Sequence, residues 1–154
     1  MLQFSLQRDA FLKHQPSRAQ FAKWVRMSLR KKYATVMITV TIVDARMSQQ
    51  INSEYRKQNK ATNVISLEYA DTRESFNLLS GELYLCDEVI VAEASAAQKT
   101  IQAHYAHMII HGILHLQGYD HQVEDEAQEM EAVECELLTK LGYTNPYLDT
   151  QYEK

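Results

Sequence analysis

The chain has 154 residues, 45% hydrophobic and 23% charged, enough for one domain (residues 1–154) with a buried core, and it lacks any apolar run of the roughly 20 residues that cross a bilayer. The net charge of −4 hides an asymmetry, +9 over residues 1–60 and −13 over residues 61–154, which fits either a basic face able to attract phosphate or an ordinary solvated surface. Two cysteines, Cys86 and Cys135, exclude a disulfide framework, and the N-terminus has no basic-then-apolar leader pattern, so a reducing cytoplasmic setting is expected.

Residues 2–7 alternate and predict a strand. Ser17, after Pro16, is placed to cap a helix with an apolar stripe of Phe21, Trp24, Val25 and Leu29. Its outer face carries Arg18, Lys23, Arg26 and Arg30. Residues 35–43, "TVMITVTIV", are dense in β-branched side chains and predict a second strand. A helix over 48–58 and a strand over 62–69 follow, then a polar loop over 70–80. Gly81 leads into the strand "ELYLC". Asp87 is placed to cap a helix running toward Lys99, and another helix covers 101–117, ended by a left-handed turn at Gly118. The last helix begins near Glu124 with an apolar face of Ala127, Met130, Val133, Leu137 and Leu141 and its glutamates in water; Gly142 and Asn145-Pro146 stop it. Strands early and helices late predict an α+β fold, a small mixed sheet of about four strands with helices packed on one face.

Five of the six histidines fall within residues 104–121. His111 and His115 are four apart and so share a helix face. Gly118 lets the chain turn back and bring His121 to the same point. Three neutral imidazoles with a vacant fourth position describe a catalytic zinc site rather than a closed structural one; nickel, copper or iron would also suit imidazole. The H-x3-H-x5-H spacing is that of the metzincin zinc helix, except that the general-base glutamate is replaced by Gly112. Metal-assisted hydrolysis is therefore expected, with peptide hydrolysis disfavoured. His107, one turn before His111, is a candidate to hydrogen-bond a ligand or substrate, although a core histidine is the simpler reading, as it is for His104. Asp120 can orient an imidazole, act on a proton or cap the turn.

These residues carry a family likeness. "HGILHLQGYDH", residues 111–121, resembles the signature H-G-x-L-H-L-x-G-Y-D-H of the YbeY family, bacterial metal-dependent endoribonucleases, at every fixed position. "NSEYRKQNKATNVISL", residues 52–67, is similar to the family's N-x-x-[YF]-R segment and its P-T-[DN]-V-L-S-F segment, with Ala61 for proline and Leu67 for phenylalanine. "SGELYL" resembles the L-G-D-[IV] strand entry, with Ser80 and Glu82 flanking Gly81. The resemblance implies that His111, His115 and His121 hold one zinc ion and that Arg56 lies at the active site. It also implies single-strand-specific RNA cleavage in 16S rRNA 3′-end maturation and ribosome quality control, with an rRNA precursor and small-subunit proteins as partners and no membrane association. A planar guanidinium can hold two non-bridging oxygens of a phosphodiester, where a lysine acts as a point charge. Thr62, Asn63 and Ser66 match the second motif, and either RNA contact or strand-edge hydrogen bonding fits them. No strong general base is visible, so water or the RNA 2′-hydroxyl can be the attacking group. The rival readings are a zinc metalloprotease-like hydrolase and a ribosome-assembly factor whose metal site is mainly structural.

Overall fold

The computed structural model describes residues 1–9, 12–69, 77–119 and 124–147. The elements are β1 (Leu2–Arg8), α1 (Arg18–Met27), β2 (Thr35–Val43), α2 (Ala45–Arg56), β3 (Val64–Glu68), β4 (Leu78–Cys86), α3 (Asp87–Ala96), α4 (Ile101–Leu116) and α5 (Glu124–Lys140). The strands form one mixed sheet in the order β1-β2-β4-β3. β1 runs parallel to β2 and β2 parallel to β4, while β3 lies antiparallel to β4 at the edge. The fold class is α+β, as expected.

Period-2 patterning sets the inner face of the sheet. Val36, Ile38, Val40 and Ile42 of β2 are buried, as are Leu79, Leu83 and Leu85 of β4. Leu2, Phe4 and Leu6 of β1 pack partly buried against them. Over this face lies α4, apolar on most sides, with Tyr105, Ile109, Ile110, Ile113 and Leu114 removed from solvent. Burying each such aliphatic side chain contributes about 1.5–3 kcal/mol. Helices α1, α3 and α5 each pack against α4, so it is the axis of the core. α2 meets β4 and α3 instead.

Several element ends differ from expectation. β4 begins at Leu78, where the sequence reads as loop, because Leu78 and Ser80 pair with Thr35 and Met37 of β2; that pairing partner lies far away in sequence. α2 begins at Ala45 rather than residue 48, with Asp44 as its N-cap accepting from the Met47 amide at 2.8 Å. It ends at Arg56, where Lys57 takes a left-handed conformation at φ 58°. Asp87 is the first residue of α3 and not its cap, and α3 stops at Ala96, short of Lys99. α1 has the expected cap, in which Ser17 and Gln20 exchange hydrogen bonds of 3.2 and 2.9 Å.

Buried polar groups pin segments together. Asp87 receives His14 Nε2 at 2.9 Å, Gln15 Nε2 at 3.3 Å and the Tyr105 hydroxyl, while Arg8 holds Gln15 at 3.0 Å. Burial, then the Asp87 carboxylate, push the Tyr105 hydroxyl pKa up, so it stays a donor. At the other end of α4, the Gln117 amide donates to Ser28 O at 2.6 Å and accepts from Arg30 N at 2.7 Å. These bonds fix the azimuth of α4, and with it the direction in which its histidines point.

Candidate metal centre

Helix α4 starts at the Thr100 cap, whose hydroxyl accepts from Ala103 N at 3.1 Å, and ends at Gly118, φ 102°, with Gly118 N bonded to His115 O at 3.0 Å. Along one stripe stand His104, His107, His111 and His115. Their ring centroids are 6.0, 6.4 and 4.9 Å apart in succession. The closest pair is His111 with His115, half-buried side chains one turn apart with ring planes at 74°. His121 and Asp120 lie outside the described residues, and among the described residues no group of three or more ligating side chains converges.

His104 and His107 are buried, as the simpler reading expects, but each has a carboxylate partner. His104 Nε2 lies 2.8 Å from Glu93 Oε1, and Asn63 Nδ2 donates to the same oxygen at 3.0 Å. His107 Nε2 lies 2.5 Å from Glu134 Oε1. Glu134 of α5 also takes His111 Nδ1 on Oε2 at 3.2 Å and the Tyr147 hydroxyl on Oε1 at 2.7 Å. It is 0% exposed, which corrects the reading that the glutamates of the last helix all face water. The clue to it is the spacing: Met130, Glu134, Leu137 and Leu141 recur at helical intervals, so Glu134 sits on the apolar stripe.

Burial alone would raise the Glu134 pKa, but the hydrogen bonds from His107 and His111 outweigh it and hold the carboxyl at about 2. Burial lowers the pKa of His107 despite the carboxylate beside it. A carboxylate receiving a hydrogen bond from a neutral His107 ring is consistent with both shifts. Burial and Glu134 raise the Tyr147 hydroxyl pKa, keeping it a donor.

The donor set suits a transition metal. The Glu134 carboxylate can only accept hydrogen bonds, so its bond to His111 puts a proton on Nδ1, and the single-proton form of that ring carries its lone pair on Nε2. Metal-binding imidazoles show this same pattern, one nitrogen held by a carboxylate and the other carrying the lone pair.

Gly112 occupies the place of the metzincin glutamate, and the structure supplies a packing reason. A Cβ there would lie 2.8 Å from Leu83 Cδ2 and 3.2 Å from Ser66 Oγ. That position faces the sheet, so a side chain at residue 112 would crowd Leu83 of β4 and Ser66 of edge strand β3. Ser66 donates to Gly112 O at 3.3 Å, which makes it a strand-to-helix tie. Substituting Gly112→Ala is expected to cost about 1–3 kcal/mol through overpacking, lowering the calorimetric midpoint by several degrees. An unchanged midpoint would contradict the tight seat.

Arg56 is exposed as the last residue of α2 and has no hydrogen bond or ion pair among the described residues. The loop after it is tied down. Asn52, fully buried, donates to Lys60 O at 2.9 Å, and Ser48 Oγ accepts from Thr62 N at 3.0 Å. Asn63 Oδ1 accepts from its neighbour Val64 N at 2.7 Å and its amide reaches Glu93. The second motif is thus largely a set of loop staples that hold Arg56 and β3 in place.

The family profile described as Endoribonuclease YbeY matches residues 5–142. A relative from Cupriavidus metallidurans, Endoribonuclease YbeY, is 44% identical over 132 residues, or 86% of this chain. The chain spans 64% of that relative's length. A Thermotoga maritima protein, TM1509, whose structure was determined in solution, superposes with a TM-score of 0.55 at 19% identity, covering 97% of this chain and 93% of the other. At that identity the likeness supports the fold alone.

Proposed function

The chain belongs to the Endoribonuclease YbeY family, and from that premise we propose that it is a metal-dependent endoribonuclease acting on single-stranded RNA. His111, His115 and His121 would hold one zinc ion. The observation that carries the reading is the His111–His115 pair, one turn apart, with His111 Nδ1 taken up by Glu134 so that Nε2 carries the lone pair. Zinc held there supplies Lewis acidity to the phosphoryl group of the substrate.

The rest of the reaction falls to the chain's own groups. Arg56 offers a guanidinium to the non-bridging oxygens, where negative charge grows during cleavage. Lys57 and Lys60 flank it, both exposed. Lys13, Arg18, Lys23, Arg26, Lys31 and Lys32 are also exposed, and residues 12–34 contain no acidic side chain. Such a face draws in a phosphate backbone by charge, with salt-sensitive affinity. The substrate follows from the same reading: an rRNA precursor, cut in 16S rRNA 3′-end maturation and ribosome quality control, in the cytoplasm alongside small-subunit proteins. No helix among the described residues is long and apolar enough to cross a membrane. Gly112, facing Leu83 and Ser66, speaks against the metalloprotease alternative, since the residue that follows the first histidine carries no carboxylate.

The test is metal analysis joined to cleavage. Purified protein is expected to carry about one zinc per chain and to cut single-stranded RNA but spare duplex, with activity lost to a chelator and restored by zinc. Products ending in 2′,3′-cyclic phosphate would identify the RNA 2′-hydroxyl as the attacking group. Cleavage unaffected by complete metal removal would overturn the proposal.

A further inference from the structure

We infer that Glu134 is the positioning residue of the metal centre, a carboxylate that sets the tautomer and ring angle of His111, with His107 and Tyr147 holding it in place. The inference rests on reading His111 as a metal ligand. No sequence motif invoked above contains Glu134, His107 or Tyr147.

Glu134 occupies an apolar-stripe position where a leucine would pack, and a buried carboxylate is costly unless its lone pairs are filled. Here they are filled in a directional way. Oε1 receives His107 Nε2 at 2.5 Å and the Tyr147 hydroxyl at 2.7 Å; Oε2 receives His111 Nδ1 at 3.2 Å. Two donors on one oxygen fix the carboxylate plane, and the other oxygen is thereby aimed at His111. His107 Nδ1 is buried without a hydrogen-bond partner. That ring therefore makes its buried polar contacts through Nε2, toward Glu134 and at 3.4 Å toward the Tyr147 hydroxyl. The His107 and His111 rings stand at 90° with centroids 6.4 Å apart, so one carboxylate can bridge their facing edges. The three groups come from α4, α5 and the segment after α5, so the site's geometry depends on the docking of both helices.

A hydrogen bond from Nδ1–H to a carboxylate favours the tautomer whose lone pair is on Nε2, makes that nitrogen more basic and restricts rotation of the ring. Glu134→Gln keeps the shape and removes this ability. Its amide has one acceptor oxygen and an NH2 group, so at least one of the three donors must face another donor or turn away.

Zinc affinity is measured by competition with a chromogenic chelator for the wild type, Glu134→Gln, Tyr147→Phe and His115→Ala, together with the visible spectrum of each cobalt-substituted form. Glu134→Gln is expected to bind zinc about 10–100-fold more weakly and to alter the cobalt band shape while its far-UV circular dichroism stays native. Tyr147→Phe removes a single bond to Oε1 and is expected to weaken zinc binding by a few-fold. It also serves alone if Glu134→Gln does not fold. Wild-type affinity and spectrum in Glu134→Gln or, should that variant not fold, in Tyr147→Phe, while His115→Ala loses the metal, would overturn this inference and leave the metal centre standing. Full zinc retention in His115→Ala would overturn the metal-centre reading itself.

Discussion

His115→Ala will leave the protein folded and nearly free of zinc after dialysis. The physical case starts with the helix. Alanine has the highest helix propensity, so the exchange does not weaken α4 locally. His115 is half-buried and close to the helix end, and the mass of the core, from Tyr105 to Leu114, lies elsewhere. The proposed zinc site, by contrast, would lose one of its three donors. Removing a group that only orients a ligand costs about 10–100-fold in affinity, and removing a donor atom costs more. RNA cleavage should fall with metal content. Elemental analysis beside circular dichroism checks the claim: full occupancy in a folded variant contradicts the assignment, and an unfolded variant contradicts the view that the core does not depend on this ring.

The second large effect is the opposite in kind. Arg56→Ala is expected to keep both metal and fold while turnover drops by about 10²–10³, the range found when a single donor to a developing oxyanion is removed. Arg56 is exposed, and its contribution to stability is limited to a favourable charge at the C-terminal end of α2, about 0.3–1 kcal/mol. Asn52 and Ser48 hold the following loop without it. Arg56→Lys should recover only part of the rate, because an ammonium cannot hold two oxygens in one plane. Single-turnover kinetics at saturating RNA isolate the chemical step. Unchanged rates would remove Arg56 from the mechanism.

Much of the architecture could be read before any coordinates. The alternation in β1, the β-branched run of β2, the Ser17 cap and the Gly118 terminus are local signals, and each appears where expected. The start of β4 was not legible, since Leu78 to Ser80 become strand only by pairing with Thr35 to Met37. The caps Asp44 and Thr100 were missed because an isolated Asp or Thr is common in loops as well. The histidine pair was legible from spacing alone. Glu134 was not, because a glutamate among glutamates reads as surface; its place on the apolar stripe was the available clue. Gly112 read as a missing base, and only the sheet beneath it gives the reason for glycine. Ser66, for which substrate contact and strand-edge hydrogen bonding both fit, donates to the carbonyl of Gly112.

The seat of Gly112 against Leu83 also bears on how such a chain could change its trade. Swapping glycine for glutamate would not turn this scaffold toward peptides. The new side chain would meet Leu83 of the strand below, so the helix or that leucine would have to shift to admit it. Glycine at this position thus has a packing reason as well as a chemical one.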